Sequence, residues 1–197
     1  MTQTHPAKAA LQAAMRELMT QQPFVRIRVE QICARANASR KTFYHYFLDK
    51  YDLVRSIFLE DFGEILSGVY EGWEFFQSVC TIFYENREFY LAAFEMEGQN
   101  AFSDTFSEEI YPLALDYFRR LFVQDSFNDF YAHFFTDSFR HSLVRWMRDY
   151  PEITPEQYVR RLQVAVMGVA RNFSPDSLDL ALMEAEQEDP EWIALEI

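Results

Sequence analysis

Apolar residues recur along this chain at helical spacing. Alternation of period two is hard to find, and the 197 residues include only five glycines. The pattern therefore predicts an all-α fold. The predicted helices cover 7–20, 29–36, 40–46, about 49–68, 73–85, 87–98, 103–123, 126–149 and 155–172, and a short acidic helix begins near Ser174 and ends near Gln187.

The stretch 28–47 predicts two short helices joined by a tight turn. Apolar residues fall at i, i+3, i+4 and i+7 from Val29 and form one buried stripe on the first helix. Asn37 can adopt the left-handed conformation that a tight turn requires. Ser39 can cap the second helix, and Phe43 and Phe47, four residues apart, are expected to pack inward.

Start and stop signals delimit the later helices. Asp49 can cap the fourth helix, with Asp52 at its third position. Pro112 is expected to bend or split the helix over 103–123. Thr154, followed by a proline and then Gln157, is a strong helix start.

Charge divides the chain into two parts. Residues 1–50 hold eight Lys and Arg against three Asp and Glu, whereas residues 51–197 hold ten Arg against twenty-eight Asp and Glu. This asymmetry indicates a nucleic-acid partner for the basic part. The acidic remainder limits indiscriminate binding to DNA, because only one face attracts phosphate.

The outward face of the helix over 40–46 carries groups that can read DNA. Arg and Lys donate to guanine or to phosphate, Thr contacts a thymine methyl, and Tyr hydroxyls commonly bind phosphate. The alternative is an ordinary capped helix with solvated cations. The aromatic residues weigh against it, since they cannot all face inward. The candidate DNA-binding residues are Arg28, Ser39, Arg40, Lys41, Thr42, Tyr44, His45, Tyr46 and Lys50.

Residues 29–53 resemble the TetR/AcrR family of bacterial transcriptional regulators. The resemblance is centred on the run from Ala36 to Phe47 and closes with 49–53, so that turn, cap, aromatic run and following lysine coincide. The family often has Gly at the position of Asn37, and Thr or Ser at the position of Arg28, which caps poorly. The residues 83–90 and 98–102 look like one C-terminal subgroup of this family, which is similar to the regulator of a dihydroxyacetone kinase operon.

The resemblance implies a three-helix DNA-binding domain with a helix-turn-helix, followed by a larger helical ligand-binding and dimerisation domain. We place the first at 1–50 and the second at 51–197, with 51–68 as a connecting helix. The resemblance also implies that Tyr44, Tyr46 and Lys50 contact phosphate. It implies that the remaining outward residues lie at or near the bases, namely Arg40, Lys41, Thr42 and His45.

The second domain is rich in aromatic residues, which can form a core or line an apolar pocket with a few polar groups. For any single residue the core interpretation is the simpler one. The effector-pocket candidates are Trp73, Phe76, Tyr84, Tyr90, Phe94, Met96, Gln99, Asn100 and Phe102.

The helices over 126–149 and 155–172 carry more apolar surface than solvent-facing helices need. Two such helices from each chain could pack as a four-helix bundle across a two-fold axis. A dimer would present two reading helices to a pseudo-palindromic operator in double-stranded DNA, about 34–36 Å apart or a little more. The dimer-interface candidates are Phe135, Phe139, Leu143, Trp146, Tyr158, Leu162 and Val166.

Other classes of site find little support in the sequence. His133, Asp137 and His141 fall on one helical face, but eight helical residues span about 12 Å, too far for both imidazoles to bind one ion. We therefore expect no metal and no cofactor. Cys33 and Cys80 are read as buried thiols. The sequence shows no evident enzyme active site, signal peptide or membrane-spanning segment, so we expect a cytoplasmic protein.

These observations favour a homodimeric repressor that a small-molecule effector releases or modulates. The alternative is a regulator, whether repressor or activator, whose second domain responds to a protein partner rather than to a metabolite. A fully packed second domain would favour that alternative. An enzyme is the weakest hypothesis, because no nucleophile–base pair or phosphate loop is visible.

Overall fold

A computed structural model describes residues 5–67, 72–98, 101–121 and 128–173. Over these ranges the chain forms nine α-helices and one 3₁₀ turn, with no strand, which confirms the all-α prediction. The helices are α1 Pro6–Gln21, α2 Val29–Arg35, α3 Arg40–Tyr46, α4 Lys50–Ser67, α5 Trp73–Glu85, α6 Arg87–Phe94, α7 Phe102–Leu121, α8 Asn128–Asp149 and α9 Pro155–Phe173, and the 3₁₀ turn covers Phe24–Arg26.

The turn between α2 and α3 forms as its residues predict. Asn37 has a φ of 50°, the left-handed conformation that its amide side chain tolerates. The Ser39 hydroxyl accepts a hydrogen bond from the backbone N–H of Thr42 at 3.0 Å, which caps α3. The prediction of two short helices around a capped turn is confirmed.

The start of α4 is fixed by two carboxylates that cap in opposite directions. Asp49 accepts hydrogen bonds from the backbone N–H groups of Tyr51 and Asp52, at 2.8 and 2.9 Å. Asp52 in turn accepts from the backbone N–H of Leu48 at 2.9 Å. This reciprocal arrangement satisfies N–H groups that the first turn of a helix leaves without intrahelical partners.

Helix α1 joins the N-terminal helices to the rest of the fold. It packs against α2, α3, α4 and α6, while α7 and α8 pack against each other. Its buried face is almost entirely apolar, with Leu11 and Met15 fully buried. The contact of α1 with both α3 and α6 brings the basic N-terminal part and the aromatic part of the chain together.

Two helices depart from the sequence prediction. Helix α6 ends at Phe94 rather than at 98, and the chain then turns through Gly98, whose φ of 117° L side chains rarely adopt. Helix α7 runs unbroken past Pro112, so the proline does not split it. The predicted helix from Ser174 to Gln187 lies outside the described residues.

The chain forms two compact units, one that ends at Ile153 and one that begins at Thr154. In the second unit, Thr154 and Gln157 exchange hydrogen bonds, since the N–H of each donates to the side chain of the other at 3.2 and 3.3 Å. This confirms the predicted start of α9. Among the described helices, none is long and apolar enough to span a bilayer.

Candidate nucleic-acid interface

Helix α3 is held by its aromatic side and presents its polar side outward. Phe43 and Phe47 are buried, with ring centroids 5.6 Å apart. The opposite side of the helix carries the predicted reading residues. Arg40, Lys41, Tyr44 and His45 are exposed, and Thr42 and Tyr46 are half-buried.

The hydroxyls at the start of α3 are occupied within the protein. Besides capping Thr42, the Ser39 hydroxyl lies 2.8 Å from the Thr42 hydroxyl. Ser39 therefore orients the first turn of α3, which is a positioning role. A DNA contact by either hydroxyl would have to share or replace this bond.

Arg40 is oriented by two neighbours on the outward face. Its Nη1 lies 2.7 Å from the Glu30 carboxylate, and its guanidinium carbon lies 5.9 Å from the centre of the Tyr44 ring. The pKa of Arg40 is raised, first by its hydrogen bond with Tyr44 and then by the charge of Glu30. Sequence reasoning missed Glu30, although its acidic side chain stands out in a basic segment.

Arg28 precedes α2 and is exposed. Its backbone N–H donates to the Gln31 side chain at 2.8 Å, while its own side chain caps no described N–H group. Arginine has no acceptor atom, so this half of a capping box is all that Arg28 can join. The guanidinium has no capping role, and we propose that it contacts a phosphate.

Lys50 is engaged inside the protein. Its ammonium donates to the backbone carbonyls of Phe24 and Ile27 at 2.8 and 2.9 Å, and it lies 4.2 Å from the centre of the Phe24 ring. Burial lowers the pKa of Lys50, against the charge of Asp49, which raises it. An ammonium has three N–H groups, so one is left for a phosphate. The main effect of Lys50 in the free protein is to fix the 3₁₀ turn onto α4.

A polar network links the N-terminal helices to the aromatic core. Arg16 on α1 donates to both carboxylate oxygens of Asp61 on α4, at 2.5 and 2.6 Å. The hydroxyl of Tyr90 on α6 donates to the same carboxylate. Arg16 also reaches the Asn86 side chain at 3.3 Å and lies over the Phe89 ring. No sequence pattern indicates this network, because its hydrogen bonds join residues 29 to 70 apart.

The effector-pocket candidates fall into separate groups. Tyr90, Phe94 and Phe102 meet in one aromatic cluster, where Phe94 and Phe102 have ring centroids 4.8 Å apart. Trp73 and Phe76 contact each other, and Phe76 continues to α8 through Phe139. The remaining candidates lie elsewhere: Tyr84 stacks on Trp146, Met96 is buried, and Gln99 and Asn100 lie outside the described residues.

The aromatic cluster is closed in this structure. Phe83, Tyr90 and Phe106 are fully buried, and Phe83 lies 4.7 Å from Tyr90 between ring centroids. Two clefts, of about 300 and 240 Å³, are not lined by these rings, and both border Tyr51. The first is bordered by Phe24 and Met96 as well.

Three dimer-interface candidates belong to the core of the chain. Phe139, Leu143 and Trp146 are at most 2% exposed, so they have no surface left for a second chain. Periodicity identified a buried face correctly but could not tell which partner buries it. Phe135 is half-buried and stacks on Phe139. On α9, Tyr158 is also buried, whereas Leu162 and Val166 are half-buried.

The outer face of α8 carries two aromatic residues that were not among the dimer candidates. Phe130 and Phe134 are 63% and 65% exposed, and their rings stack at 6.4 Å. Large exposed aromatic residues are typical of surfaces that contact other molecules.

The histidines of α8 engage different neighbours. The ring of His133 stacks on Tyr111 with centroids 4.3 Å apart, and Nδ1 of His141 lies 2.8 Å from the backbone carbonyl oxygen of Asp137. Within the part of the chain that the structure describes, no group of three or more metal-ligating side chains comes together.

Helices α1 to α3, with the turn between α2 and α3, are followed by further helices. This arrangement defines a DNA-binding regulator of the helix-turn-helix class. Two family descriptions match the sequence: residues 11–57 match "Bacterial regulatory proteins, tetR family", and residues 71–168 match "Transcriptional regulator C-terminal region". The chain belongs to the TetR family of transcriptional regulators, and it is not an enzyme. The resemblance seen in the sequence is confirmed.

Solved structures show the same fold. A TetR-family regulator from Syntrophomonas wolfei has 16% identity and a TM-score of 0.63, over 79% of this chain and 90% of that chain. The dihydroxyacetone kinase operon activator DhaS has 24% identity and a TM-score of 0.56, over 81% and 95%. NalD of Pseudomonas aeruginosa, the secondary repressor of the MexAB-OprM multidrug efflux pump, has 15% identity and a TM-score of 0.55, over 79% and 91%. A search of curated proteins gave no match.

Proposed function

We propose that this protein is a homodimeric repressor that binds a pseudo-palindromic operator through α3 and releases it when an effector binds the second domain. The observation that supports the DNA contact is the way in which α3 is held against the protein. Its buried aromatic side and capped start present Arg40, Lys41 and His45 to solvent together. In this proposal the DNA-binding domain is 1–50, the remainder is the effector and dimer domain, and the protein acts in the cytoplasm, where bacterial operators lie.

The network of Arg16, Asp61 and Tyr90 supports a route for the effector signal. The Tyr90 ring belongs to the aromatic cluster, while its hydroxyl binds the carboxylate that also holds α1. A small molecule that enters the cluster must displace aromatic rings. Displacement of Tyr90 would release one of the bonds that orient α1, and α1 packs against α3. An effector with different affinities for the two arrangements would thereby shift the DNA-binding equilibrium.

For the homodimer, the exposed Phe130 and Phe134 support a contact surface on α8. Separately, we propose Leu162 and Val166 on α9 as interface residues, as the sequence suggested, whereas Tyr158 is buried within its own chain. A two-fold interface uses the same surface on both chains, and the exposed aromatic pair on α8 suits that requirement.

A second candidate function is a regulator, of either sign, whose second domain answers to a protein partner. The burial of Phe83, Tyr90 and Phe106 favours it, because these packed rings leave no space among themselves for a metabolite. The name of one structural relative, an activator, and that of another, a repressor, illustrate that this fold serves both signs.

The DNA-binding proposal is tested by a gel shift on the DNA upstream of the protein's own coding region, at low salt. We expect a retarded complex, weakened by Arg40→Ala and Lys41→Ala, and weakened further as salt rises. Binding that both variants leave intact would place the contact elsewhere. Absence of any complex at low salt would count against the proposal itself.

The two candidate functions are separated by thermal unfolding in the presence of a metabolite library. A ligand that binds only the folded state raises the midpoint of unfolding. A metabolite that does so and also dissolves the DNA complex supports the effector proposal. Release of DNA by a purified protein, with no such metabolite, supports the partner proposal.

A further inference from the structure

We propose that Glu30 is a specificity-determining residue, because it positions Arg40 to read a guanine in the operator. This inference rests on the proposed binding of DNA through α3. Glu30 is an exposed acidic residue in a basic segment. At that position its charge would repel the phosphates of DNA, so attraction to phosphate does not explain it.

The geometry places Glu30 beside the first residue of α3. Glu30 is the second residue of α2, and its carboxylate lies 2.7 Å from Nη1 of Arg40 across the turn. Both side chains are more than half exposed, at 56% and 60%, so the pair lies on the surface that would meet the groove. Tyr44, one turn further along α3, lies beneath the guanidinium, whose carbon is 5.9 Å from the ring centre.

The chemistry of the pair leaves Arg40 competent to read a base. A guanidinium has five N–H donors, and the Glu30 carboxylate engages Nη1. Tyr44 engages a further N–H group. The remaining donors can bind the two acceptors of guanine, O6 and N7, which arginine commonly contacts together. Glu30 and Tyr44 together restrict the rotation of a long side chain. An arginine that is already ordered loses less conformational freedom on binding.

Glu30 has an opposite effect on the rest of the DNA. Its negative charge repels nearby phosphates, so it weakens binding to any sequence. Base contacts specify, whereas phosphate contacts contribute affinity without sequence information. A residue that improves the first and weakens the second raises the ratio of specific to non-specific affinity. We therefore expect removal of the charge to raise the non-specific affinity and to lower the ratio of specific to non-specific affinity.

A different role for Glu30 makes a different prediction. An acidic residue in the first turn of α2 interacts favourably with the helix dipole. If this were its whole contribution, Glu30→Gln would lower the stability of the protein slightly and leave the base preference unchanged. If Glu30 only repelled phosphate, the variant would bind every sequence more tightly by the same factor.

The test uses selection from a pool of random duplexes long enough for two half-sites, with the full-length chain and three variants. The wild type is expected to enrich a motif with a guanine in each half-site, and Arg40→Ala is expected to lose the preference for it. We expect Glu30→Gln to reduce that preference roughly threefold to tenfold, because the ordering of one long side chain is lost. Its affinity for non-specific duplex should rise at the same time.

The control is Glu17→Gln. This substitution also removes one negative charge from the N-terminal helices. Glu17 forms its ion pair with Arg35 on α2, so α3 is not involved. It is expected to leave the motif unchanged. An unchanged guanine preference in Glu30→Gln, or an Arg40→Ala variant that keeps it, would overturn the inference while leaving DNA binding intact. A wild type that enriches no sequence would remove both the inference and the proposed function.

Discussion

Replacing Tyr90 by phenylalanine deletes one hydroxyl from a fully buried ring and leaves the aromatic packing in place. That hydroxyl donates to the Asp61 carboxylate, whose side chain is 18% exposed. A hydrogen bond to a charged group contributes about 1.5–3 kcal/mol to stability. Asp61 keeps both of its bonds from Arg16 in the variant, so its charge stays compensated. We therefore expect a loss of about 1.5 kcal/mol, the lower end of that range.

The assay is thermal unfolding followed by circular dichroism, at one protein concentration because the proposed dimer would unfold in a concentration-dependent way. In a chain of this size a loss of 1.5 kcal/mol lowers Tm by about 3–6 °C. The matched control is Tyr111→Phe, which deletes a hydroxyl bonded to Asp129, a carboxylate that is 71% exposed. Water replaces that bond, so little change is expected. Equal Tm values for the wild type and Tyr90→Phe would refute the reasoning about the network.

Three further predictions concern the N-terminal helices and the cysteines. Ser39→Ala removes the cap of α3 and should cost about 1 kcal/mol in chemical unfolding, whereas Ser39→Asp should retain most of that stability. Lys50→Met removes the donor of two backbone carbonyls and should cost about 1–2 kcal/mol, with an unchanged midpoint of unfolding as the contrary result. Burial raises the pKa of the Cys33 and Cys80 thiols, so both should react slowly with a thiol reagent near pH 8 until the protein unfolds; fast labelling of the native protein would contradict their burial.

The N-terminal part of the fold could be predicted closely because its signals are local. Ser39 and Asp49 cap backbone N–H groups three residues away, and Asn37 adopts a positive φ at its own position, as expected. Helix ends that depend on distant packing were harder to place. The end of α6 at Phe94 is an example, since no glycine or proline follows it before Gly98.

Contacts between distant segments could not be read from the sequence. The bond of Tyr90 to Asp61 joins residues 29 apart, and no pattern distinguishes that tyrosine from its aromatic neighbours. The same limit affected the dimer candidates. The spacing of Phe139 and Leu143 on α8 indicated an apolar face, but both residues are buried in the core of their own chain. Lys50 was expected at a phosphate, and its contacts with backbone carbonyls arise from a turn 23 to 26 residues earlier.

The central claim is that α3 reads DNA as part of a two-fold dimer, and hydroxyl-radical footprinting on the bound upstream fragment tests it most directly. We predict two protected patches whose centres lie about one helical turn, roughly 34–36 Å, or a little more apart, both lost in Arg40→Ala. Uniform cleavage along the fragment, or protection that is identical in Arg40→Ala, would contradict the claim.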